Sequence, residues 1–306
     1  MPDRPVARRS RRHSPIAERA VVPPFPSTVD LHTHSSRSDG VLAPGALLRD
    51  VAAAGVRVTS LTDHDTLAGY RDLVAGGVVP AGVTLIPGVE INALVTRDLG
   101  LWEWELHILG FGMDPDDAAF EAALSAQRGA RRVRFEKTVA QLRSIGMPID
   151  AQVAELATDD DDALGRPTVA RALMRAGFAS SVEDAFSRIL GYGNPGYVRR
   201  EGMGPEEAIA AIRAAGGLPV LAHFREAPFR PEVIRDLVDA GLGGLEVYYR
   251  TFDQATVEAM RTVAEAFGLL PTGGSDFHGD VAPYSESHRS LWVPPSVGEG
   301  LLATIT

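Results

Sequence analysis

The chain has 306 residues, of which 45% are hydrophobic, and its formal net charge is −10 at pH 7. This length and composition suit one large domain with an insertion, and the acidic charge argues against binding to duplex DNA. The chain has no cysteine, which excludes disulfides, thiolate metal sites and cysteine nucleophiles. Because no apolar run approaches the roughly 18–20 residues that cross a bilayer, we expect a cytoplasmic protein without a membrane partner.

The N-terminal segment is rich in arginine and proline and carries no periodic apolar pattern. It lacks the apolar core of a secretory signal. A segment without a face to bury cannot offset the conformational entropy that ordering would cost. We therefore predict that residues 1–26 form a disordered leader.

Seven short β-rich segments follow, and helical patterns separate several of them. Pro44 suits the first position of the helix that it opens, and glycines follow three of the helical patterns, where a left-handed cap would fall. A repeated unit of strand, helix and glycine predicts a mainly parallel sheet in an α/β fold. The predicted strands are 28–31, 56–61, 83–89, 105–111, 218–222, 243–249 and 269–275. The three helices with their glycines are 44–54 with Gly55, 205–215 with Gly216 and 253–267 with Gly268.

Residues 113–196 interrupt this alternation and are too long for an ordinary connection between strands. We predict that they form a helical subdomain over the mouth of a barrel, which residues 27–112 and 197–290 build. Residues 291–306 remain as a C-terminal tail. The helical patterns in the insertion cover 115–145, about 150–157, 167–177 and 181–190.

Histidines and carboxylates gather at the ends of the predicted strands. So many polar groups are costly there unless a cation offsets their desolvation. Imidazoles and carboxylates are ligands of borderline and hard divalent ions, so the pattern predicts a multinuclear metal site. In closed βα barrels the carboxyl ends of the strands carry the active site, which favours a barrel of about seven strands. The elements are His32-Thr-His34 with Asp39, Asp63-His64-Asp65, Glu90, His107, His223, Glu246 and Asp276-Phe-His278; His13 and His288 lack such a context.

These motifs resemble, in order, those of the PHP (polymerase and histidinol phosphatase) domain. The resemblance is greatest to the stand-alone bacterial PHP phosphoesterases that act on nucleotides. It implies a distorted seven-stranded (β/α) barrel of the PHP type with an inserted helical subdomain. The chain departs from the family pattern at His223-Phe224, where His-Pro is usual. The segments that carry the resemblance are VDLHTHSSRSDG, SLTDHDTLAGY, IPGVEINA, ELHILGF, LAH and GGSDFHG.

The resemblance implies nine ligands for two or three divalent ions, which would be manganese, zinc or iron. Glu90 would bridge the first ion to the second. Asp63, beside His64, would orient an imidazole. The ligands of the first ion would be His32, His34 and Asp276; His107 and His223 would complete the second; Asp39, His64 and His278 would hold the third.

The expected reaction is hydrolysis of a phosphate ester by a hydroxide that bridges two ions. The third ion or a protonated group near His64, with Asp63 beside it, would help the leaving oxygen depart. Arg131 and Arg134 share a face of a predicted helix, and Arg166 opens another, so all three are candidates for binding a second phosphate. The expected substrate is therefore a nucleotide or short oligonucleotide. The reaction would remove the 3′-phosphate of nucleoside 3′,5′-bisphosphates or trim short RNA from its 5′ end.

Three alternatives stay open. A histidinol-phosphate-type phosphatase is one, although a small amino alcohol needs no second anion site. A non-catalytic metal-binding PHP module is another, although such modules tend to have lost ligands. The amidohydrolases also begin with two histidines on a first strand, but those with two bridged ions commonly need a carbamylated lysine at a strand end. Lys137 is the only lysine, and it falls in a predicted helix.

Overall fold

The computed structural model describes residues 27–95, 105–156, 165–199, 201–279 and 281–306. The predicted leader and His13 lie outside them. The described residues form one seven-stranded sheet whose strands lie in chain order, which confirms the predicted strands. The strands are β1 (Val29–Asp30), β2 (Val58–Leu61), β3 (Thr84–Leu94), β4 (Glu105–Phe111), β5 (Leu218–Leu221), β6 (Gly244–Tyr249) and β7 (Leu270–Gly274).

The first and last strands lie side by side. The backbone N–H of Leu31 donates to the Gly273 carbonyl at 3.1 Å, and the N–H of Asp276 donates to the His32 carbonyl at 2.7 Å. A parallel bridge continues this seam just beyond the strands. The sheet is therefore a nearly closed barrel, as the sequence predicted.

Strand β4 runs against its neighbours, which the sequence analysis did not foresee. It pairs antiparallel with both β3 and β5, whereas the remaining neighbours pair in parallel. Only residues 95–104 connect β3 to β4, and parallel strands need a longer crossover. As a result, the start of β4 lies at the barrel end where the other strands finish.

Helices flank the barrel, and three of them lie where the sequence predicted helices. Gly55, Gly216 and Gly268 end three of them with positive φ angles of 95°, 82° and 65°. The outward faces of β3, β4 and β5 pack on one of these helices, α7 (Pro205–Ala214), through Ile91, Ile108 and other buried apolar residues. The helices that flank the barrel are α1 (Pro44–Ala53), α2 (Ala68–Ala75), α7 (Pro205–Ala214), α8 (Pro231–Asp239), α9 (Gln254–Phe267), α10 (Tyr284–Arg289) and α11 (Pro295–Ile305), with a short 3₁₀ turn at Ala227–Phe229.

The insertion between β4 and β5 is helical and has a small core of its own. Its long first helix also joins the main core through Phe120 and Leu124. Arg71 of α2 holds this helix to the barrel, because its guanidinium donates to the Pro115 carbonyl at 2.7 Å and pairs with Glu121 at 2.7 Å. The helices are α3 (Ala118–Ser144), α4 (Asp150–Leu156), α5 (Arg166–Arg175) and α6 (Val182–Ala185), followed by a π-helical turn at Phe186–Leu190.

The C-terminal residues close the far side of the barrel. Leu301 of α11 is buried in the main core, and Gly298 faces the first residues of β1 and β2. The Tyr284 hydroxyl donates to the buried Asp30 carboxylate at 2.7 Å. His288, as expected, lies apart from the other histidines, with its Nε2 atom 2.8 Å from the Ser27 carbonyl. None of the helices in the described ranges combines the length and hydropathy needed to cross a membrane.

A glycine at the barrel seam gives a stability prediction. A Cβ atom at Gly274 would overlap the backbone nitrogen and Cβ of His32, whereas one at Gly129, in the exposed middle of α3, would meet no atom within 4 Å. Gly274→Ala should lower the free energy of unfolding by about 1–3 kcal/mol. Gly129→Ala should raise it by about 0.5–1 kcal/mol, because glycine destabilises helix interiors. Urea denaturation of the metal-free proteins measures both free energies of unfolding. A Gly274→Ala variant as stable as the wild type would show that the contact between β1 and β7 can accommodate a Cβ atom.

Candidate metal centre

Nine side chains converge at one mouth of the barrel and form three overlapping groups. In each group the potential ligand atoms lie within 4.8 Å of one another. His34 belongs to two groups, and so does Glu90. The groups are His32, His34, Glu90 and Asp276; Glu90, His107 and His223; and His34, Asp39, His64 and His278. These are the nine residues that the sequence analysis named as ligands.

The strands position these side chains in two ways. His32, His64, His223 and Asp276 follow the ends of their strands, as expected. Glu90 and His107 do not. Glu90 lies within β3, and His107 lies near the start of β4, which reaches the same mouth because it runs in the opposite direction.

The Glu90 carboxylate is 1% exposed and faces five imidazoles. Its Oε2 atom lies 3.1 Å from His34 Nε2, 3.2 Å from His64 Nδ1 and 3.3 Å from His32 Nε2. Its Oε1 atom lies 2.7 Å from His107 Nδ1 and 3.2 Å from His223 Nε2. A carboxylate that shares its oxygens between neighbouring groups in this way is suited to bridge two cations.

Two aspartates also face imidazoles of this cluster, and both lie beside His278, the one imidazole that Glu90 does not face. Asp276 Oδ1 lies 3.3 Å from His32 Nε2 and 3.2 Å from His34 Nε2, and its Oδ2 accepts a hydrogen bond from the Tyr249 hydroxyl at 2.9 Å. Asp39 Oδ1 lies 3.1 Å from His278 Nε2. The Oδ1 atom of Asp276 thus faces the imidazoles, and the Tyr249 hydroxyl hydrogen-bonds its Oδ2 atom.

The buried atoms of this cluster fit divalent cations. Although carboxylate oxygens lie about as close as in hydrogen bonds, several ring nitrogens and carboxylate oxygens have no hydrogen-bond partner among the described residues. Buried polar atoms without a hydrogen-bond partner need an explanation, and a shared cation provides one. His223 and Asp276 also adopt strained positive φ angles of 25° and 50°. The unpartnered atoms are His32 Nε2, His34 Nδ1 and Nε2, Asp39 Oδ1, His64 Nδ1, Glu90 Oε2 and Asp276 Oδ1.

The carboxylates of the cluster are ionised. Burial alone would raise the pKa of Glu90, but His107, His32 and His64 bring it well below its usual range. Burial likewise opposes the charge of Asp276, yet His32, His34 and His278 lower its pKa. Negative charge fixed in a buried site requires positive charge beside it.

His32 and His34 supply that charge as protons when no ion does. Burial opposes the charged form of His34, but the carboxylates of Asp276 and Glu90 raise its pKa to about 10. Burial also opposes the charge of His32, and Glu246 and Asp276 raise its pKa well above the usual value. Binding of a metal ion to such nitrogens releases protons. His64 differs, because burial takes its pKa well below normal and leaves the neutral ring that binds metal rather than a proton donor.

Residues behind the cluster hold it in shape. Glu246, which is fully buried, places Oε1 3.0 Å from His32 Nδ1, and its Oε2 accepts the backbone N–H of His223 at 2.7 Å. Asp63 accepts hydrogen bonds from the Ser35 N–H and hydroxyl, both at 2.7 Å, and from the Ser38 hydroxyl at 2.8 Å. The position of Asp63 beside His64 predicted that it orients an imidazole. In the structure Asp63 hydrogen-bonds the loop that carries Asp39 instead, and Glu246 contacts an imidazole.

The three candidate arginines form ion pairs with two acidic residues. Arg134 Nη1 lies 3.1 Å from Glu105 Oε1, and Arg166 Nη2 lies 3.0 Å from Glu105 Oε2. Burial lowers the pKa of Arg134, and the adjacent Arg166 lowers it further. Arg131 instead pairs with the buried Asp65 at 2.6 Å, although it shares a helix with Arg134. Two guanidiniums and one carboxylate therefore meet beside the mouth.

A barrel that gathers imidazoles and carboxylates at one mouth defines the class of metal-dependent hydrolases. Within it, Lys137 lies on α3 with 56% of its side chain exposed, beside Glu201, so the amidohydrolase interpretation lacks its lysine. No family model matches the chain.

Known relatives identify the family. The chain is 30% identical over 260 residues to a 3′,5′-nucleoside bisphosphate phosphatase of Chromobacterium violaceum, covering 82% of this chain and 87% of that one. It is 33% identical over 258 residues to a 5′-3′ exoribonuclease of Haemophilus influenzae, with coverages of 81% and 89%. A solved structure from Bifidobacterium adolescentis, assigned as a metal-dependent phosphoesterase, has a TM-score of 0.75 at 28% identity and coverages of 92% and 98%. The chain belongs to this family, the metal-dependent phosphoesterases of the PHP type, as its motifs predicted.

Glu246 gives a prediction about metal affinity. Glu246→Gln removes the charge that fixes the His32 ring and should weaken divalent-ion binding at least about tenfold. The matched control is Glu265→Gln on the exposed side of α9, which should bind as the wild type does. Titration of the metal-free proteins with manganese and zinc measures both affinities. Equal affinities would contradict the positioning role of Glu246.

Proposed function

We propose that this phosphoesterase removes the 3′-phosphate from nucleoside 3′,5′-bisphosphates. The observation that carries the proposal is the presence of two separate elements for anions at one mouth: the histidine–carboxylate cluster and the Arg134–Arg166 pair. A substrate with one phosphate uses only the first. The name of the Chromobacterium violaceum relative supports the same substrate class.

The two elements are connected by one strand. Glu105 and His107 are two residues apart on β4, so their side chains face the same side at a separation of about 7 Å. His107 faces Glu90 in the cluster, and Glu105 holds both arginines. A nucleotide whose scissile phosphate meets the cluster would direct its other phosphate toward the arginine pair.

We assign the nine converging residues as ligands of two or three divalent ions. Imidazole with carboxylate suits manganese, zinc or iron. Bound ions would supply Lewis-acid charge that stabilises the phosphoryl group in the transition state and activates water for attack. Glu90 would bridge neighbouring ions, while Glu246 and Tyr249 hold His32 and Asp276 in the orientations that binding needs.

The arginines orient the substrate. Guanidinium forks match phosphate geometry and form charge-assisted hydrogen bonds with it. Arg134 lies over the Tyr197 ring at 5.9 Å and Arg166 over the Phe186 ring at 5.3 Å, which restricts both guanidiniums before substrate arrives. Arg131, held by Asp65 beside His64, would act on the loop around the ligands more than on a distant phosphate.

A second candidate activity is the 5′–3′ trimming of short RNA. The Haemophilus influenzae relative is named for it, and the same arginine pair could receive the 5′-phosphate of an oligonucleotide. The two activities share the ligand set and differ in whether the 3′-phosphate is terminal or is joined to a further nucleotide. Phosphate release from a panel of nucleotides and nucleotide release from 5′-phosphorylated RNA, both with added manganese, would separate them.

The ligand assignment gives a prediction about activity. His34→Ala or Asp276→Ala should lower phosphate release more than about a hundredfold, because each removes a ligand atom from the shared group. His288→Gln is the matched control, since that histidine lies outside the cluster, and should keep wild-type activity per folded molecule. Metal content and circular dichroism accompany the assay. Near-wild-type turnover by either ligand variant in chelator-treated, manganese-supplemented buffer would refute the assignment.

The arginine pair gives a prediction about selectivity. Arg134→Ala and Arg166→Ala should reduce kcat/KM for a bisphosphate roughly ten- to a hundredfold, the effect of losing one charge-assisted contact. Their kcat/KM for an aryl phosphate, which has no second phosphate, should change far less. Arg132→Ala serves as the control because its side chain is half exposed on the same helix. Equal losses on both substrates would mean that the arginines stabilise the fold instead.

A further inference from the structure

A buried amide lies between the two anion elements. Asn92 is two residues after Glu90 on β3, so both side chains face the barrel interior. It pairs directly with His107 across the antiparallel ladder, and the next residue pair on that face contains Glu105. Asn92 therefore lies level with His107, one residue pair from Glu90 on one side and one residue pair from Glu105 on the other.

The side chain of Asn92 has an unmet hydrogen-bonding requirement. It is 9% exposed, and its Oδ1 atom is buried without a hydrogen-bond partner among the described residues. Its backbone is fixed, because the Gln127 amide donates to the Asn92 carbonyl at 2.9 Å and accepts the Met203 N–H at 2.9 Å. A buried amide oxygen that lacks a donor is energetically unfavourable, so a ligand that supplies a donor would remove that cost.

The missing partner is a donor, which restricts what it can be. Ionised phosphate oxygens only accept hydrogen bonds, so the phosphates at either side do not satisfy an amide oxygen. Between the two phosphates of a nucleoside 3′,5′-bisphosphate lies the sugar, and the hydroxyl beside a 3′-phosphate is the 2′-hydroxyl. A hydroxyl can donate to Oδ1 and accept from the amide nitrogen of the same side chain.

We propose that Asn92 is a specificity-determining residue that hydrogen-bonds the 2′-hydroxyl of the substrate and so selects ribonucleotides over deoxyribonucleotides. The inference rests on the proposed function, because it takes the sugar to lie between the cluster and the arginines. It assigns Asn92 to recognition of the substrate rather than to binding of an ion. A site that hydrogen-bonds a hydroxyl disfavours the analogue without it, because the amide is then left unpaired.

The test is a cycle that removes the amide and the hydroxyl separately. The wild type and Asn92→Ala are assayed with adenosine 3′,5′-bisphosphate and with its 2′-deoxy counterpart. The wild type should favour the ribonucleotide about tenfold in kcat/KM. Asn92→Ala should lose that preference, falling about tenfold on the ribonucleotide and less than about twofold on the deoxyribonucleotide. Asn194→Ala, which changes an asparagine in the insertion, should keep the wild-type preference.

Further measurements separate the possible failures. Asn92→Ser, which keeps a small polar group but shortens its reach, should lose the preference too and serves if the alanine variant folds poorly. An equal loss on both substrates, or a lower metal content in Asn92→Ala, would overturn the role of Asn92 alone. A wild type that releases phosphate from neither bisphosphate would overturn the proposed function and the inference with it.

Discussion

The metal centre depends on one buried carboxylate that several strands must approach at once. Only 1% of the Glu90 surface is exposed. Five imidazoles lie 2.7–3.3 Å from its oxygens, and they come from β1, β2, β4 and β5 or from the loops that follow these strands. Such an arrangement persists only if positive charge offsets the desolvation of the carboxylate. Protons can supply it, because the neighbouring carboxylates raise the pKa of His34 to about 10 although burial opposes its charged form. Divalent cations can supply it without charging the rings.

Residues around the cluster stabilise the positions of the side chains that converge on Glu90. Glu246 ties the His32 ring to the backbone of His223, so β6 couples two members of the cluster. Asp63 performs a different task, because it fixes the turn at Ser35 and Ser38 from which Asp39 projects. Carboxylates that do not face the ion region thus decide where the ligands point, as expected of a site whose ligand orientation controls metal affinity.

Much of this arrangement could be predicted from local sequence. Period-two spacing identified His32 and His34 as a pair, and the strand, helix and glycine pattern located all seven strands. The reversed direction of β4 could not be predicted in this way, because alternation within ELHILGF is the same in either direction. Helix α8 was missed although Val233, Ile234 and Leu237 follow a helical period. The hydrogen-bond partner of Asp63 could not be predicted from local sequence either, because Ser35 is 28 residues away and only tertiary packing brings it near.

The reversal of β4 also accounts for the position of the insertion. Had β4 run parallel to its neighbours, His107 would lie far from Glu90, and the chain would leave the strand at the metal mouth. Instead β4 begins at the mouth and ends at the opposite side, so α3 returns along the outside and carries Arg134 back to Glu105. One reversed strand therefore places His107, which faces both Glu90 and Asn92, in line with Glu105, which holds two arginines. The proposed ligand set alone would accommodate any phosphate ester, and that line is the reason for proposing a substrate with two phosphates.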